Sequence, residues 1–370
     1  MKKIKILFIA PLHSIHSVRW IKYFINLGYD VYVLSFSENS QKLKGAKIKI
    51  IKPQRGSRSR IGYYFDYYMF LSRLTNNIKP DIIQIHWIDM FSYFLVAGKN
   101  YPVIVTAWGS DVLIQPEKSP LARLFLKRLC YQAKIITTDG NHVKTKLSKL
   151  GVAETKIRVI YFGTNLDDYK QLKRNNNLIN ELGFSKEKQL LVISIRALEP
   201  IYDVESLIRA VPLVVEKHPY VGFIIVGEGK LGNSLKLLSR ELGIDNNVCF
   251  AGRLSDPELR RFLVSSDIYV STSLSDAGLA SSTSEAMASN LPVIVTDFGD
   301  NSKWVKELET GMLFPSSDYK TLARKIIFLA KNRELATKIA KNGFRLIEKE
   351  NNYYREMKKV DNLYRGILGI

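Results

Sequence analysis

The residues best suited to chemistry lie in one stretch, 268–296, which reads as a strand, a polar loop, a helix and a second strand. The loop consists mainly of small residues that let a ligand approach the backbone. Ser282 and Glu285 have the spacing of a capping box, which predicts a helix that begins near Thr283. The free N–H groups and the positive end of such a helix suit a phosphate. The alternative is that Glu285 only closes the capping box and that the serines only form turns.

Other candidate binding residues of the second half follow predicted strands. Arg196 follows 190–195, Gly227-Glu228-Gly229 follows 221–226, and Arg253 follows 248–250. Ligands bind beyond the carboxyl ends of strands in open parallel sheets, so we expect these residues to meet. An arginine, a helix N-terminus and a carboxylate together suit a phosphate-bearing sugar nucleotide. Arg196 would hold phosphate oxygens and Glu285 would accept hydrogen bonds from ribose hydroxyl groups.

The first half also places polar and aromatic residues after predicted strands, namely His13, Ser14, His86, Trp108, Asp111 and Asp139. Several such groups converging at one sheet edge predict a binding surface, although His86 taken alone is better explained as a structural histidine. The first turn contains no G-x-G-x-x-G motif, which argues against a dinucleotide site.

The alternation of strands and helices predicts an α/β protein with two doubly wound, Rossmann-like parallel-sheet domains that face each other across a cleft. We expect an N-terminal acceptor domain over 1–165 and an asparagine-rich linker over 166–189. A nucleotide-sugar donor domain follows over 190–350. The last segment, 351–370, predicts a helix that returns to the N-terminal domain.

Composition limits the location and the partners of the chain. It is 46% hydrophobic, and its two cysteines have no metal-site spacing, which fits a reducing compartment. No window approaches the ~20 apolar residues of a membrane span, so we expect a cytoplasmic protein that can associate peripherally with the inner face of a membrane. The net charge is +20, and residues 1–60 hold 13 Lys and Arg against two acids.

That positive charge favours anionic lipid or a lipid-phosphate acceptor over nucleic acid, because no nucleic-acid-binding signature is present. The basic loop 54–60 and the aromatic-rich helix predicted over 61–78 add to the membrane interpretation. The alternatives are a basic surface without a specific partner and a helix that is packed in the core.

Several motifs together resemble the retaining glycosyltransferases of family 4 (group 1), which have the GT-B architecture. They are Arg196-Ala-Leu-Glu-Pro, Gly227-Glu228-Gly229, Glu285-Ala-Met-Ala, Gly311-Met-Leu-Phe-Pro and, in the first half, Trp108-Gly-Ser-Asp111. The resemblance implies a UDP- or GDP-sugar as donor substrate and a saccharide or lipid-linked acceptor. No D-x-D motif follows a predicted strand in a metal-site context, so we also expect no metal and no cofactor. The resemblance also implies that Arg196 and backbone N–H groups stabilise the leaving diphosphate, whose oxygen deprotonates the acceptor.

The chain departs from the family pattern at three places. The family lysine falls at Ile201 or Tyr202, the first glutamate of E-x(7)-E falls at Ala277, next to Asp276, and the family histidine falls at Trp108. An active branch of the family and a non-catalytic sugar-nucleotide-binding copy both fit these departures. For the active form we expect Arg196, Asp276 and Glu285 to be catalytic, with Asp276 positioning the sugar. The binding residues that we expect are Ser14, Trp108, Asp111, Tyr202, Gly227, Glu228, Arg253, Ser281, Ser282 and Thr283.

Overall fold

The computed structural model of this chain describes residues 3–35, 43–50, 60–88, 92–93, 96, 100–184, 189–276 and 278–370. The chain divides into two compact units. Unit 1 consists of Met1–Phe162 together with Glu356–Ile370, and unit 2 consists of Gly163–Arg355. The loop 54–60, on which part of the membrane interpretation rests, lies outside the described residues except for Arg60.

Unit 1 is built on a seven-stranded parallel sheet of order β3-β2-β1-β4-β5-β6-β7. Every residue of β4 and β5 is buried, as expected of central strands that are covered on both faces. The strands are β1 Lys5–Ile9, β2 Asp30–Ser35, β3 Lys47–Ile50, β4 Ile82–His86, β5 Val103–Ala107, β6 Ile135–Thr138 and β7 Ile157–Val159.

The described helices of this part of unit 1 are α1 Ile15–Asn26, α2 Arg60–Ile78, α3 Ser110–Leu113, α4 Gln115–Lys118, α5 Pro120–Gln132 and α6 Asn141–Lys149. Helix α5 is not among the elements expected from the sequence, although its start carries two helix signals. Ser119 accepts a hydrogen bond from the backbone N–H of Ala122 (3.3 Å), and Pro120 occupies the first helical position. Among the described helices, none combines the length and the apolar character that crossing a membrane requires.

Unit 2 is built on a six-stranded parallel sheet of order β10-β9-β8-β11-β12-β13. Its strands are short apolar runs, and β8, the first in sequence, lies in the middle of the sheet. The strands are β8 Leu190–Ile195, β9 Val221–Val226, β10 Val248–Gly252, β11 Ile268–Ser271, β12 Val293–Thr296 and β13 Met312–Phe314. The two parallel sheets confirm the doubly wound α/β class.

Eight described helices accompany the second sheet, and four of them contribute to a core of Val, Leu, Ile and Phe side chains. They are α7 Leu178–Glu181, α8 Val204–Lys217, α9 Gly232–Glu241, α10 Asp256–Ser265, α11 Ser281–Ala288, α12 Asn301–Trp304, α13 Tyr319–Lys331 and α14 Arg333–Glu350.

The described part of the segment predicted as a linker, 166–184, is attached to unit 2. The Arg174 guanidinium donates to the buried carboxylate of Asp267 (3.0 Å), and the backbone N–H of Asn175 donates to Ser265 Oγ (2.9 Å). These polar residues therefore hold the segment against unit 2, whereas their composition alone suggested a free connection.

The last helix, α15 Tyr353–Leu368, belongs to unit 1 from Glu356 onwards. The Tyr364 ring is fully buried, and its hydroxyl donates to Gln84 Oε1 on the central strand β4 (2.8 Å). Glu356, also buried, accepts from the backbone N–H of Tyr161 (2.9 Å), and the Tyr29 hydroxyl donates to Asp361. A central strand and the C-terminal helix of unit 1 are thus joined by buried polar contacts.

We predict that Tyr364→Phe destabilises unit 1 by about 1–3 kcal/mol, because it leaves the buried Gln84 Oε1 without this donor. Tyr354→Phe on the same helix is the matched control, since that side chain is half exposed. Urea unfolding followed by tryptophan fluorescence measures both variants. Equal stability of the two variants would show that the buried hydroxyl contributes nothing.

Candidate functional site

The candidate residues of unit 2 gather at the carboxyl edge of its sheet. Arg196 follows β8, Gly227 follows β9, Arg253 follows β10, and residues 272–280 follow β11. The strand order reverses between β8 and β11, which is the place where doubly wound sheets bind ligands. Arg196 and the loop after β11 therefore flank this switch point.

Arg196 is the charged centre of this edge. Its Nε and Nη2 donate to Ser271 Oγ on β11 (2.9 and 2.7 Å), and Nη2 also donates to Asp276 Oδ2 (2.7 Å). The two charged side chains are only 10% and 6% exposed. Burial lowers the pKa of Arg196, but Asp276, Tyr269 and Tyr202 together outweigh burial and raise that pKa, so the guanidinium remains charged.

Tyr202, which with Ile201 is one of the two positions where the family lysine falls, contacts Arg196. The guanidinium carbon lies 5.5 Å from the centre of the Tyr202 ring, within the range of a cation–π interaction. The backbone carbonyl of Tyr202 accepts a hydrogen bond from Thr272 Oγ1 (2.7 Å). Tyr202 therefore adds an aromatic face to the site, where a lysine would add a second positive charge.

Asp276 has a partner that the sequence pattern did not predict. Its predicted role was to position the sugar, but the structure pairs its carboxylate with Arg196. A carboxylate in this place pairs with the buried guanidinium, since an unpaired buried charge costs several kcal/mol. The hydrogen bond between them also fixes the orientation of the guanidinium. The neighbouring Ala277, the position of the family's first glutamate, lies outside the described residues.

The capping box predicted for Ser282 and Glu285 is wrong. Helix α11 begins at Ser281, its N-cap residue is Ala280, and no side chain caps it. Ser282 is the second residue of the helix, and its hydroxyl accepts a hydrogen bond from Tyr269 of β11 (2.9 Å). A capping box forms instead at Ser255 and Glu258, at the start of α10.

The uncapped first turn of α11 suits an anion. Its backbone N–H groups receive no side-chain cap, and they carry the positive end of the helix dipole. Tyr269, which bonds Ser282, and Ser271, which bonds Arg196, lie two residues apart on β11 and therefore on the same face of the sheet. Arg196 and the start of α11 consequently lie on the same side of unit 2.

Ser281, Thr283 and Glu285 are the other predicted site residues on α11. Ser281 is half-buried, while Thr283 and Glu285 are buried. Glu285 is one turn beyond Ser281 and Ser282, on their side of the helix. The helix ends at Ala288, and Asn290 takes a left-handed conformation (φ 56°), which confirms the predicted stop near Asn290.

The glycines after β9 allow two loops to pack closely. A Cβ atom on Gly227 would lie 2.0 Å from the carbonyl oxygen of Arg196, and one on Gly229 would lie 2.4 Å from that of Leu198. The backbone N–H of Leu198 donates to the Glu228 carbonyl (3.0 Å), so the two loops are also hydrogen-bonded. Gly227 and Gly229 therefore allow the loop after β9 to lie directly against the backbone of Arg196 and Leu198.

A cavity of about 390 Å³ opens next to these loops. Glu228 and Arg253 are exposed at its wall, and Arg196 and Tyr202 also face it. Leu254 and Leu259 supply apolar surface. The size and the mixed lining are those of a small-molecule pocket.

In unit 1, the carboxylate of Asp111, a predicted binding residue, is engaged by the backbone. It is buried and accepts hydrogen bonds from the backbone N–H groups of Ile88, Trp108 and Gly109 (2.9–3.0 Å). Burial raises the pKa of Asp111 to about 6, against the opposing effect of these hydrogen bonds. Asp111 thus holds the ends of β4 and β5 together, and sequence alone could not separate this role from binding.

Trp108 belongs to an aromatic cluster that includes His16, which was not predicted. The His16 ring stacks on Phe162 (4.2 Å between centroids) and lies edge-on to Trp108 (5.9 Å). Ser14, a predicted binding residue, is half-buried just before α1 and does not cap that helix. His13, which was also predicted to lie at this edge, is exposed.

His86 is a structural histidine, as its alternative interpretation held. It is buried among Phe8, Trp20 and Trp108, and its Nδ1 lies 3.0 Å from Ser17 Oγ. Burial lowers the pKa of His86 to about 3, and burial with the nearby Arg19 lowers the pKa of His16 to about 4. Both rings are therefore neutral near pH 7.

Two family models match the chain in sequence. The model "Glycosyl transferases group 1" matches residues 176–346, and "Glycosyl transferase 4-like" matches residues 5–140. EpsD of Bacillus subtilis is 27% identical over 212 residues, which are 56% of this chain and 54% of EpsD. For the first three curated relatives, the match spans 54 to 64% of their length.

Solved structures resemble the whole chain. A glycosyltransferase from Rickettsia africae superposes with a TM-score of 0.82 at 19% identity and covers 100% of this chain and 99% of its own. HepE from Anabaena, solved in complex with UDP and glucose, has a TM-score of 0.82 at 18% identity, covering 98% of this chain and 100% of its own. At these identities the likeness establishes the fold, and it confirms the GT-B architecture.

We predict that Gly229→Ala destabilises unit 2 by about 1–3 kcal/mol, because the added methyl group meets the backbone of Leu198. Gly232→Ala is the matched control, since its Cβ would lie 3.5 Å from the Leu198 side chain at the start of α9. Thermal unfolding measures both. Equal melting temperatures would contradict the close approach of the two loops.

We also predict that unit 1 loses stability as the pH falls from about 6.5 to 5. The unfolded chain protonates His16 and His86 in this range, whereas their lowered pKa values keep the folded forms neutral. Asp111 acts in the opposite direction below pH 6, because its pKa is raised in the folded state. The two histidines together outweigh Asp111, so the free energy of unfolding falls by roughly 1–3 kcal/mol between these pH values.

Urea unfolding at pH 7.5 and at pH 5.0 measures this loss. His16→Asn removes one of the two histidines and should reduce the difference between the two pH values. A stability that is unchanged or higher at pH 5.0 would contradict the assignment of neutral buried histidines.

Proposed function

Because the chain belongs to the group 1 glycosyltransferases of the GT-B fold, we propose that it transfers a sugar from a UDP- or GDP-sugar to a saccharide or lipid-linked acceptor with retention of configuration. One observation carries this proposal. A buried, charged arginine and an uncapped helix start lie on the same side of unit 2, at the switch point of its sheet.

The diphosphate of the donor binds between Arg196 and the first turn of α11. Its negative charge matches the guanidinium and the positive end of the helix, and its oxygens accept the N–H groups of Ser281, Ser282 and Thr283. Asp276 and Ser271 engage Nε and Nη2 of Arg196, and among the described residues no hydrogen bond uses Nη1, which we assign to the phosphate. Arginine is suited to this task because its five donors can serve several acceptors at once.

The nucleoside occupies the cavity beside Gly227. Glu228 and Arg253 provide polar groups there, and Leu254 and Leu259 provide apolar surface. Glu285 on α11, which is not among the residues that line this cavity, is assigned the ribose hydroxyl groups on the sequence prediction. The volume of about 390 Å³ fits a ligand of nucleoside size. The UDP and glucose bound to the structural relative HepE support a UDP-sugar as the donor.

The reaction depends on stabilising the leaving diphosphate. As the bond between the anomeric carbon and the phosphate oxygen breaks, negative charge grows on that oxygen, and Arg196 with the α11 N–H groups stabilises it. The same oxygen takes the proton of the acceptor hydroxyl, which attacks from the face that the diphosphate leaves. The new glycosidic bond then keeps the original configuration.

Unit 1 supplies the acceptor contacts. Trp108 offers an aromatic surface for a sugar ring at the carboxyl end of β5, and His16, stacked on Phe162, lies beside it. Ser14 precedes α1 at the carboxyl edge of the same sheet. These side chains fit a saccharide or the saccharide part of a lipid-linked acceptor in cell-surface polysaccharide or glycolipid synthesis, with the enzyme on the cytoplasmic face of the membrane.

The alternative is a nucleotide-sugar-binding protein without turnover. Tyr202 in place of a lysine and the Asp276–Arg196 pair favour it, since one positive charge is missing and another is already paired. Binding of the donor without acceptor-dependent release of UDP or GDP, over a broad acceptor panel, would identify this alternative.

We predict that Arg196→Ala and Glu285→Gln each lower sugar transfer by a factor on the order of 100 or more. Arg196→Ala removes the charge opposite the leaving group, and Glu285→Gln removes the charge that orients the ribose. Arg209→Ala is the matched control, because that arginine is exposed on α8 and pairs only with Glu205 among the described residues.

Acceptor-dependent release of UDP or GDP measures transfer, and melting temperatures show that each variant folds. Near-wild-type transfer by both variants would contradict the proposed site. Normal transfer by Arg209→Ala is required for the comparison.

A further inference from the structure

Helix α5 of unit 1 carries an unusual outer face that the proposed site does not use. Leu121, Leu124 and Tyr131 are 52%, 45% and 86% exposed, respectively. They are spaced by three and seven residues, so they form one stripe along the 13-residue helix. Lys127 and Arg128 lie within this stripe. We call these five residues the α5 face.

The charge around the α5 face is strongly positive. Residues 119–158 contain nine Lys and Arg but only Asp139 and Glu154 as acids, a net charge of +7. Glu154 is paired with Lys144, at 3.6 Å. Within the part of the chain that the structure describes, neither Lys127 nor Arg128 forms an ion pair.

A cavity of about 870 Å³ continues the α5 face towards the segment that follows α6. Leu124, Lys127 and Tyr131 line one side of it, and Val152 and Lys156 line the other. Lys156 Nζ donates to the backbone carbonyls of Tyr131 and Ala133 (2.6 and 3.0 Å), which ties the two sides together. The surface is therefore a built groove with apolar walls and a basic rim.

The groove lies away from the proposed acceptor residues. Its lining residues 130–132 and 150–153 precede β6 and β7, so they lie at the amino ends of these strands. Ser14 and Trp108 lie at the carboxyl ends of β1 and β5 in the same parallel sheet. An occupant of the groove would thus leave the carboxyl edge of the sheet open.

We propose that the α5 face docks on a membrane surface that contains anionic phospholipid. Leucine side chains enter the acyl boundary, a tyrosine suits the interfacial region, and Lys and Arg attract the headgroup phosphates. Nucleic acid would match the charge but would leave the leucines exposed. A second copy of this chain would place one basic surface against another, which is unfavourable at a net charge of +20.

Vesicle co-sedimentation of the full-length protein tests this proposal. The vesicles are phosphatidylcholine alone or phosphatidylcholine with 30% phosphatidylglycerol, each at low and at high salt. We expect binding to the anionic vesicles only, and weaker binding at high salt because salt screens the attraction. Each basic residue near the surface contributes about 1 kcal/mol, so Lys127→Gln with Arg128→Gln should weaken partitioning roughly 10- to 30-fold.

Leu124→Ser tests the apolar part and should also weaken binding to anionic vesicles. Leu237→Ser on α9 is its matched control, since Leu237 is 55% exposed. Lys338→Gln with Lys341→Gln on α14 is the control for charge, because both lysines are exposed. The melting temperature of each variant is measured as a check of folding.

Specific losses at the α5 face, with both controls unchanged, support the proposal. Equal losses in the charge control would overturn it in favour of general attraction by the +20 charge. Binding that is equal on neutral and anionic vesicles, or absent from both, would overturn it as well. Concentration-dependent dimerisation that is abolished by Leu124→Ser would assign the face to a second copy of the chain.

Discussion

The buried ion pair between Arg196 and Asp276 is the interaction on which the proposed site depends. A guanidinium that is 10% exposed must be paired, and Asp276 together with Ser271 provides the partners. The pair draws the loop after β11 to the end of β8, so that Arg196 and helix α11 share one side of the sheet. The same pair keeps the arginine charged and oriented, which a leaving diphosphate requires.

The backbone around this pair is shaped by the absence of side chains. Gly227 and Gly229 allow the loop after β9 to contact the backbone of Arg196 and Leu198 at distances that no Cβ would permit. The start of α11 also lacks a side-chain cap among the described residues. Its N-cap residue is Ala280, and the Ser282 hydroxyl accepts a hydrogen bond from Tyr269. The helix start leaves polar backbone groups accessible to a ligand, whereas the backbone of the glycine loop is hydrogen-bonded to its neighbours.

The sequence was most informative where one periodicity dominates. Apolar runs such as 190–195 and 221–226 predicted strands with their correct ends, and the two βα series predicted the two parallel sheets. The start of α11 was predicted wrongly, because the capping-box spacing cannot reveal that Tyr269 competes for Ser282. The roles of Asp111 and His16 also depend on contacts between distant strand ends, which no local pattern encodes. Sequence thus located the edge of the sheet, while pairing at that edge required the three-dimensional structure.

The site around Arg196 and the α5 face are proposed to bind different ligands, and the proposed sugar transfer depends on the site around Arg196. A crystal structure with bound UDP tests the central claim most directly. We predict diphosphate oxygens within hydrogen-bond distance of both the Arg196 guanidinium and the N–H groups of Ser281–Thr283, with the nucleoside beside Gly227. A diphosphate that contacts neither Arg196 nor the first turn of α11 would contradict the account.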